Sequence, residues 1–488
     1  MYMLLLGVMK TKEKEGYMDS QKLYEQRNQI IAAFLVAAFI GLFNETALNM
    51  AFAQLILDFN TDASTIQWLT TGYLLTLGIL VPLSGFLMQR FPTRHLFVVS
   101  LLFAIIGTVV SAIAPTFTVL LTGRIIQAIG AAIILPLMMQ VVLMIYPINQ
   151  RGAAMGKIGL VIIFAPAIGP TIAGFVMEHF SWHYIFWISV PFLIISFVLG
   201  LKFVQNVSEV QPVKFDVLSI ILSTIGFGGV VYGFSISGKL STFMTAEVMI
   251  AISIGIIGII LFCLRQLKME QPMLNLKVFS FPMYNIGIMM VILVHMTILA
   301  TMVLLPIYLQ NILLLAPMIA GLSLLPGGVI NAFMAVASGH IFDRFGPRIM
   351  VPVGLLLEIV ALFALRTIDA ETSVYFIVVF HILMFVGISL ASMPAQTNGL
   401  NQLPRHLYPD GTAFMNTLQQ VAGAIGTAVS ITIMSISTAN FVKVNGTSAD
   451  STYSGSIIGV QHALTFALVL AIIALVLSFF MKHVQEEK

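Results

Sequence analysis

The chain has 488 residues, of which 59% are hydrophobic and only 9% are charged, and its mean hydropathy is +1.01. A soluble domain carries about 25% charged residues, so this composition excludes an ordinary soluble protein and indicates an integral membrane protein. The net charge of +3 over such a length gives no reason to expect a nucleic-acid partner. The lone cysteine, Cys263, excludes an intrachain disulfide and a cysteine-based metal site.

The first residues are predicted to form a cytoplasmic tail, residues 1–28, because the stretch 10–27 is polar. Lys14, Glu15 and Gly16 can be encoded by a ribosome-binding sequence that would lie just upstream of Met18. We therefore expect translation to begin at Met18.

Fourteen apolar segments follow, from Ile30–Phe52 to Gln461–Met481, each long enough to cross a bilayer as a helix. Their continuous hydrophobicity favours helices over the alternating strands of a barrel. Placing the N-terminus inside puts 19 of the 23 Lys and Arg residues on the cytoplasmic side, which predicts that both termini are cytoplasmic. The exceptions are Lys239, Arg366 and Lys443 outside and Arg124 within the membrane.

Two short loops repeat one pattern. They read G-F-L-M-Q-R-F-P-T-R (Gly85–Arg94) and G-H-I-F-D-R-F-G-P-R (Gly339–Arg348), with Gly, Arg, Phe and Arg at identical offsets. Such a repeat is typical of secondary transporters built from two similar halves. It predicts a six-helix half at 29–204, two inserted helices with linkers at 205–282, and a second six-helix half at 283–488.

A carboxylate lies inside the first apolar segment, in the stretch F-N-E-T-A-L-N-M-A-F (Phe43–Phe52). A charge at membrane depth costs several kcal/mol, so Glu45 needs a reason to be there. One interpretation is a proton- or cation-binding acid in a water-filled cavity. The alternative is a neutral acid in a structural hydrogen bond between helices.

Several motifs occur together and in order. Beside N-E-T-A-L-N and the two basic loops, they include L-L-T-G-R-I-I-Q-A-I-G-A-A (Leu120–Ala132), A-P-A-I-G-P-T-I-A-G (Ala165–Gly174) and L-P-I-Y-L-Q from Leu305. In these motifs the chain resembles the fourteen-helix drug:proton antiporter branch of the major facilitator superfamily, and more loosely its lincomycin-resistance type. The resemblance implies an all-α major facilitator fold with 14 transmembrane helices as 6+2+6. It also implies multidrug efflux across a bacterial plasma membrane, with protons as the coupling ion and no cofactor or metal.

Depth along the helices predicts a partner for Glu45. Glu45 lies about 22 Å up the first helix, and Arg124 lies about 10 Å down the fourth from the outer face, so their charges reach one level. The resemblance implies a relay role for Arg124, and a static ion pair is the alternative. Glu358, near the middle of the eleventh segment, is the rival proton-binding acid.

Further site residues fall into three groups. The candidate polar contacts of a substrate cavity are Asn44, Asn49, Gln127, Gln140, Tyr308 and Gln310. The resemblance implies an antiporter-motif hinge at the interface between the halves, formed by Pro166, Gly169, Pro170 and Gly174. The candidate cytoplasmic gating residues are Gly85, Arg90, Arg94, Gly339, Asp343, Arg344 and Arg348. In the first loop Gln89 stands where the family usually has Asp.

The sequence thus predicts a monomeric, proton-driven exporter of small hydrophobic or cationic drug-like compounds, embedded in the lipid bilayer. With one acid securely at membrane depth, neutral, zwitterionic or monocationic substrates are favoured over dications. One alternative is export of an endogenous metabolite, peptide or lipid-like compound, and another is a membrane sensor or scaffold without transport. An ATPase is disfavoured, because the nearest phosphate-loop pattern, Gly152–Lys157, lacks the Ser or Thr that binds magnesium.

Overall fold

The structure, a computed structural model, describes residues 20–61, 63–207, 216–240, 244–270, 272–315 and 317–484. Residues 1–19, with the expected start at Met18 and most of the predicted tail, lie outside the described residues. Within the described ranges the regular elements are all helical. Residues 20–28, which were predicted as tail, already belong to the first helix.

Fourteen helices of the described residues are long and apolar enough to cross a membrane, as predicted. They are α1 (Ser20–Ala47), α2 (Ala63–Arg90), α3 (Thr93–Ala112), α4 (Phe117–Ile145), α5 (Arg151–His179), α6 (His183–Phe203), α7 (Val217–Leu240), α8 (Ala246–Lys268), α9 (Pro282–Asn311), α10 (Pro317–Phe345), α11 (Pro347–Leu365), α12 (Val374–Asn401), α13 (Tyr408–Asn445) and α14 (Ala449–Ser478).

The helices pack as two groups of six with a pair between them. In the first group α1 contacts α4, α5 and α6, while α2 and α3 both contact α4. In the second group α9 contacts α12, α13 and α14, and α10 and α11 both contact α12. The groups meet mainly where α5 crosses α10 and where α2 crosses α13. This is the predicted 6+2+6 arrangement.

The inserted helices α7 and α8 form a close pair. Gly229 and Gly255 face each other at the crossing, where a Cβ added to Gly229 would lie 2.9 Å from the Cα of Gly255. Small residues allow helix backbones to approach in this way inside a membrane. At one end of the pair Arg265 binds Asp216 through two hydrogen bonds of 2.7 and 2.9 Å. These bonds lower the pKa of the Asp216 carboxyl to about 2, so the pair stays charged at neutral pH.

Some helix ends differ from the hydropathy segments. α1 ends at Ala47, followed by a short 3₁₀ turn, whereas the apolar segment continues to Phe52. α13 extends to Asn445 and α14 begins at Ala449, well before the predicted Gln461. The physical reason is that hydropathy detects only the lipid-spanning part of a helix. Polar bonds support the extensions, such as Thr438 Oγ1 donating to the Gly455 carbonyl at 3.1 Å.

Candidate functional site

A narrow cleft lies between the two halves. Its walls come from α1, α2 and α4 of the first half and from α13 of the second half. The lining is mostly apolar and carries four polar side chains, Glu45, Tyr73, Asn416 and Gln420. An apolar cavity with a few convergent polar groups is the usual form of a small-molecule site.

Glu45 enters this cleft from the last turn of α1, just before the helix changes to the 3₁₀ turn Leu48–Ala51. The next residue fixes this helix end, because Thr46 Oγ1 donates to the Pro166 carbonyl of α5 at 3.3 Å. On the other side of α1, the amide oxygen of Asn44 accepts from the Ser189 hydroxyl at 2.9 Å. The carboxylate is therefore held on a helix end that α5 and α6 both anchor.

Arg124 is fully buried in α4 beside this helix end. Its Nη1 donates to the Asn44 carbonyl at 2.9 Å and to the Gln127 amide oxygen at 3.1 Å. Its guanidinium also lies over the ring of Tyr73, with Cζ 4.3 Å from the ring centroid. The remaining donors, Nε and Nη2, have no hydrogen-bond partner among the described residues, which is costly for a buried cation. Arg124 therefore has donors free to bind an acceptor that comes close.

Glu45 and Arg124 lie close together, because Arg124 binds the carbonyl of Asn44, the residue before Glu45, and lies over Tyr73, which lines the cleft with Glu45. The expected direct ion pair is not formed, however, since the one salt bridge among the described residues joins Arg265 and Asp216. The physical reason is that the guanidinium is already oriented by Asn44, Gln127 and the Tyr73 ring. Tyr73 is the residue that both groups share, because it lines the cleft together with Glu45. Sequence reasoning missed Tyr73.

We expect drug efflux to depend on the aromatic ring of Tyr73 and hardly on its hydroxyl group. Tyr73→Leu removes a cation–π contact worth about 0.5–2 kcal/mol, so the initial rate of drug efflux should fall about 2- to 30-fold. Tyr73→Phe keeps the ring and loses only a long hydroxyl bond of 3.4 Å to the Gly41 carbonyl. Efflux from drug-loaded cells should therefore stay near wild type in Tyr73→Phe. Equal losses in both variants would contradict this role of the ring.

The predicted polar contacts are scattered. Asn44 and Gln127 line a smaller cavity behind Tyr73, and Gln127 donates to Thr108 at 2.8 Å. Gln140 is buried in α4 with its amide oxygen unpartnered, away from the cleft lining. Tyr308 and Gln310 lie on α9 of the second half, outside the cleft lining: Tyr308 donates to the Asp369 carbonyl, which follows α11, and Gln310 is half-buried. Asn49 lies in the 3₁₀ turn Leu48–Ala51 directly after α1, and its side chain lies outside the described residues.

The described contacts of the proline–glycine motif of α5 are with α1 of the first half and the 3₁₀ turn that follows it. Gly169 faces Thr46 of α1, where an added Cβ would lie 3.3 Å from the Phe43 carbonyl oxygen, and Gly174 is nearest to Met50. The Pro166 carbonyl accepts the Thr46 hydroxyl, and the Pro170 side chain lies outside the described residues. These contacts lie within the first half, and the interface position of the hinge stays a prediction. α5 meets α10 nearer its start, at Gly152, Gly156 and Gly159.

Glu358 lies in the interior of the second half, apart from the cleft lining. It is fully buried on α11, and its backbone is crossed closely by Gly387 of α12. Within the part of the chain that the structure describes, neither carboxyl oxygen has a hydrogen-bond partner. A buried ionised carboxylate without a partner is very unfavourable, so this environment favours the neutral acid.

The two repeated loops lie at one end of the bundle, which we call the basic end, and there the halves are joined. At the α2–α13 crossing Gln89 Nε2 donates to Asp410 Oδ1 at 2.7 Å, and Gly85 leaves room for Ala413. At the α10–α5 crossing Asp343 accepts the N–H groups of Gly152 and Ala153, both at 2.8 Å. Two helix N-termini, those of α13 and α5, thus meet the ends of α2 and α10 from the opposite half.

A third junction at the basic end uses Arg151, a residue that sequence reasoning missed. Its Nη1 donates to Asn401 Oδ1 at 3.1 Å and to the Tyr408 hydroxyl at 3.0 Å, both in the second half. It also donates to the Tyr146 and Leu143 carbonyls within its own half. One indication of this role was present in the sequence, since Arg151 directly precedes Gly152–Lys157, the segment that resembles a phosphate loop.

The loop arginines make fewer cross-half contacts than expected. Arg94 Nη2 donates to the Leu201 carbonyl at 2.6 Å and so binds the end of α6 in its own half. Arg344 lies against the ring of Phe345 beside it. Arg90, in the last turn of α2, and Arg348, at the start of α11, are exposed.

The chain matches the Major Facilitator Superfamily over residues 34–427 and belongs to it. Solved structures support the same fold. The proton:xylose symporter XylE superposes with a TM-score of 0.64 at 15% identity, over 96% of this chain and 97% of that chain. The human organic anion transporter MFSD10 gives a TM-score of 0.63 at 11% identity, over 92% of this chain and 99% of that chain. The protein is thus a membrane transporter of this superfamily and not an enzyme.

Two relatives with higher sequence identity are bacterial proteins. The lincomycin resistance protein LmrB of Listeria monocytogenes is 54% identical over 454 residues, which cover 93% of this chain and 96% of that protein. The protein of the same name from Bacillus subtilis is 52% identical over 459 residues, with coverages of 93% and 96%. These relatives confirm the resemblance seen in the motifs and the multi-pass location in a bacterial plasma membrane.

Proposed function

We propose that this transporter exports hydrophobic and amphipathic drugs in exchange for protons, by alternating access of the cleft to the two sides of the membrane. The observation that carries the proposal is the position of Glu45 in the cleft wall, beside an arginine with unpartnered donors. A carboxylate in such a place can take up a proton, and its charge can interact electrostatically with a substrate in the same cleft. The relatives that carry the name lincomycin resistance support drugs as the substrate class.

In this proposal Glu45 alternates between a charged and a neutral form. The charged form attracts the free Nε and Nη2 donors of Arg124 and favours a cationic or polar drug in the cleft. Protonation removes that attraction, so the drug leaves more easily and α1 can shift against α4. Because Thr46 is bonded to Pro166, such a shift would be transmitted to α5.

The basic end faces the cytoplasm in this proposal, because Lys and Arg accumulate on that side of membrane proteins. The three junctions there would then close the cytoplasmic side. Export requires these junctions to break so that the drug can enter the cleft from the cell interior. The places of Gly85, Gly339 and Asp343 at the two crossings support their predicted gating role.

The proposal is tested in a bacterial host that lacks its own drug pumps. Expression should raise resistance to lincomycin and to a neutral fluorescent drug, and a protonophore should abolish the efflux of that drug from preloaded cells. Vesicles energised only by ATP, with the proton gradient collapsed, serve as a control and should not transport. Efflux that continues after the gradient is collapsed would refute proton coupling.

The energetics of one proton limits the substrates. A proton that enters across about 100 mV and one pH unit releases about 3.7 kcal/mol, enough for a gradient of a neutral drug of about 500-fold. Exchange against a monocation cancels the voltage contribution and leaves about tenfold per pH unit. We therefore expect proteoliposomes to concentrate a neutral drug strongly, a monocation weakly and a bis-cationic dye hardly at all. Strong proton-driven transport of the bis-cation would contradict a single working acid.

A further inference from the structure

The inserted helices α7 and α8 contribute no described residue to the cleft lining, yet hydrogen bonds lead from them to the contacts between the halves. We propose that α7 and α8 hold the basic end closed through the segment that follows α8, residues 272–281, which we call the strap. This role does not depend on protons or on the substrate, so its test is separate from that of the proposed function.

The first part of the connection lies where α7 begins and α8 ends, at the basic end. Asp216, just before α7, binds Arg265 of α8 through two hydrogen bonds. Asp216 also accepts the hydroxyl of Ser219, and that hydroxyl oxygen accepts Gln266 Nε2 at 2.7 Å. Gln266 is almost fully buried. The position of its side chain is therefore set by both inserted helices.

Gln266 then fixes the beginning of the strap. Its Oε1 accepts the N–H groups of Met273 at 2.7 Å and of Leu274 at 3.2 Å. The side chains of Met273, Leu274 and Val278 are completely or almost completely buried in a cluster that contains residues of both halves. The strap is consequently part of the protein interior and is not a free linker.

The strap finally contacts the crossing of α2 and α13. Leu274 fills the space beside Gly85, where an added Cβ would collide with it. The N–H of Asn275 donates to Asp410 Oδ1 at 2.9 Å, the same oxygen that accepts Gln89. Phe279 packs against Phe414 of α13 with ring centroids 5.0 Å apart. Opening this crossing must break the Asn275–Asp410 bond or move the strap with α13.

Two substitutions separate the strap bond from its side effects. Asn275→Pro removes the donated N–H together with the side-chain amide, and the native φ of −83° is close to the value that proline adopts. Asn275→Ala keeps that N–H and removes the side chain that accepts from the N–H of Lys277, so it is the matched control. Gln266→Leu leaves the Asn275–Asp410 bond and cuts its connection to the inserted helices.

Opening is measured with a reporter cysteine at Met393, which packs against Gly159 across the interface of the halves. The full chain carries Cys263→Ser and Met393→Cys, is placed in lipid nanodiscs, and reacts with a polar maleimide. A second reporter, Ala467→Cys, is fully buried in the second half and reacts only after unfolding. Labelling rates are compared among the three variants and the parent.

We expect Asn275→Pro and Gln266→Leu each to raise labelling at Met393→Cys by about tenfold, equivalent to about 1.4 kcal/mol, while Asn275→Ala stays within twofold of the parent. Ala467→Cys should remain unlabelled throughout. Equal labelling rates in Asn275→Pro and Asn275→Ala would overturn the proposed role of the strap. An effect of Asn275→Pro without any effect of Gln266→Leu would overturn the role of α7 and α8. A rise at both reporters means unfolding and also counts against the proposal.

Discussion

Glu45→Gln should abolish uphill, proton-driven drug transport while leaving the protein folded. Glutamine has nearly the same shape and mimics the neutral acid, so the cleft should still bind the drug. Because it cannot release or take up a proton, the drug gradient in energised vesicles should fall from about 500-fold for a neutral drug to about onefold. The measurement is drug accumulation in proteoliposomes with an imposed pH gradient and membrane potential.

Two comparisons make this result specific. Exchange of labelled for unlabelled drug without a gradient should persist in Glu45→Gln, since it needs binding and alternation but no net proton transfer. Glu358→Gln, a change at a fully buried acid that lies outside the cleft lining, should keep uphill transport. Undiminished accumulation by Glu45→Gln would refute its role, and loss of accumulation by Glu358→Gln would show that coupling is shared.

Gly339→Ala should prevent the halves from closing at the basic end. A Cβ at this position would lie 2.8 Å from the carbonyl carbon of Gly152, a backbone atom that cannot turn aside. Overpacking of this kind costs about 1–3 kcal/mol, which shifts the closed–open equilibrium by about 5- to 150-fold towards the open state. Drug efflux should fall by about fivefold or more, because a transporter that does not close cannot complete its cycle. Initial efflux rates measure the loss.

Gly321→Ala is the matched control on the same helix, α10. A Cβ there meets no atom within 4 Å, so the same chemical change should leave efflux unchanged. Reactivity of Met393→Cys with the polar maleimide should rise in Gly339→Ala and not in Gly321→Ala. Normal efflux by Gly339→Ala would mean that the α5–α10 crossing need not close as tightly as it does in this structure.

The fold was largely predictable because its causes are local. Continuous apolar segments define the membrane spans, and the repeated loops at Gly85 and Gly339 reveal the two halves. The depths of Glu45 and Arg124 follow from the rise per residue of a helix. For the same reason the ends of α13 and α14 were misjudged, since turns outside the lipid carry no strong hydropathy signal.

The junctions between the halves were much less predictable. Asp410 and Gln89 are 321 positions apart, and nothing in either local sequence announces the other. The charge of the loop arginines made them candidates for contacts between the halves. In the structure, however, Arg151 and Gln89 make such contacts. The direction of the Arg124 guanidinium depended on Tyr73, whose ring reaches it from another helix. Such contacts depend on tertiary packing between distant segments, which cannot be predicted from a single sequence.

The three junctions at the basic end have one property in common. Asp410 and Asp343 accept only from amide N–H groups, and Arg151 donates to carbonyl, amide and hydroxyl oxygens. Ionic strength weakens attraction between opposite charges, and across these junctions no such pair is found among the described residues. Opening of the basic end should therefore proceed at nearly the same rate in 50 mM and 500 mM salt. A transporter with this closure can keep its cycle steady while the ionic strength of the solution at the basic end changes.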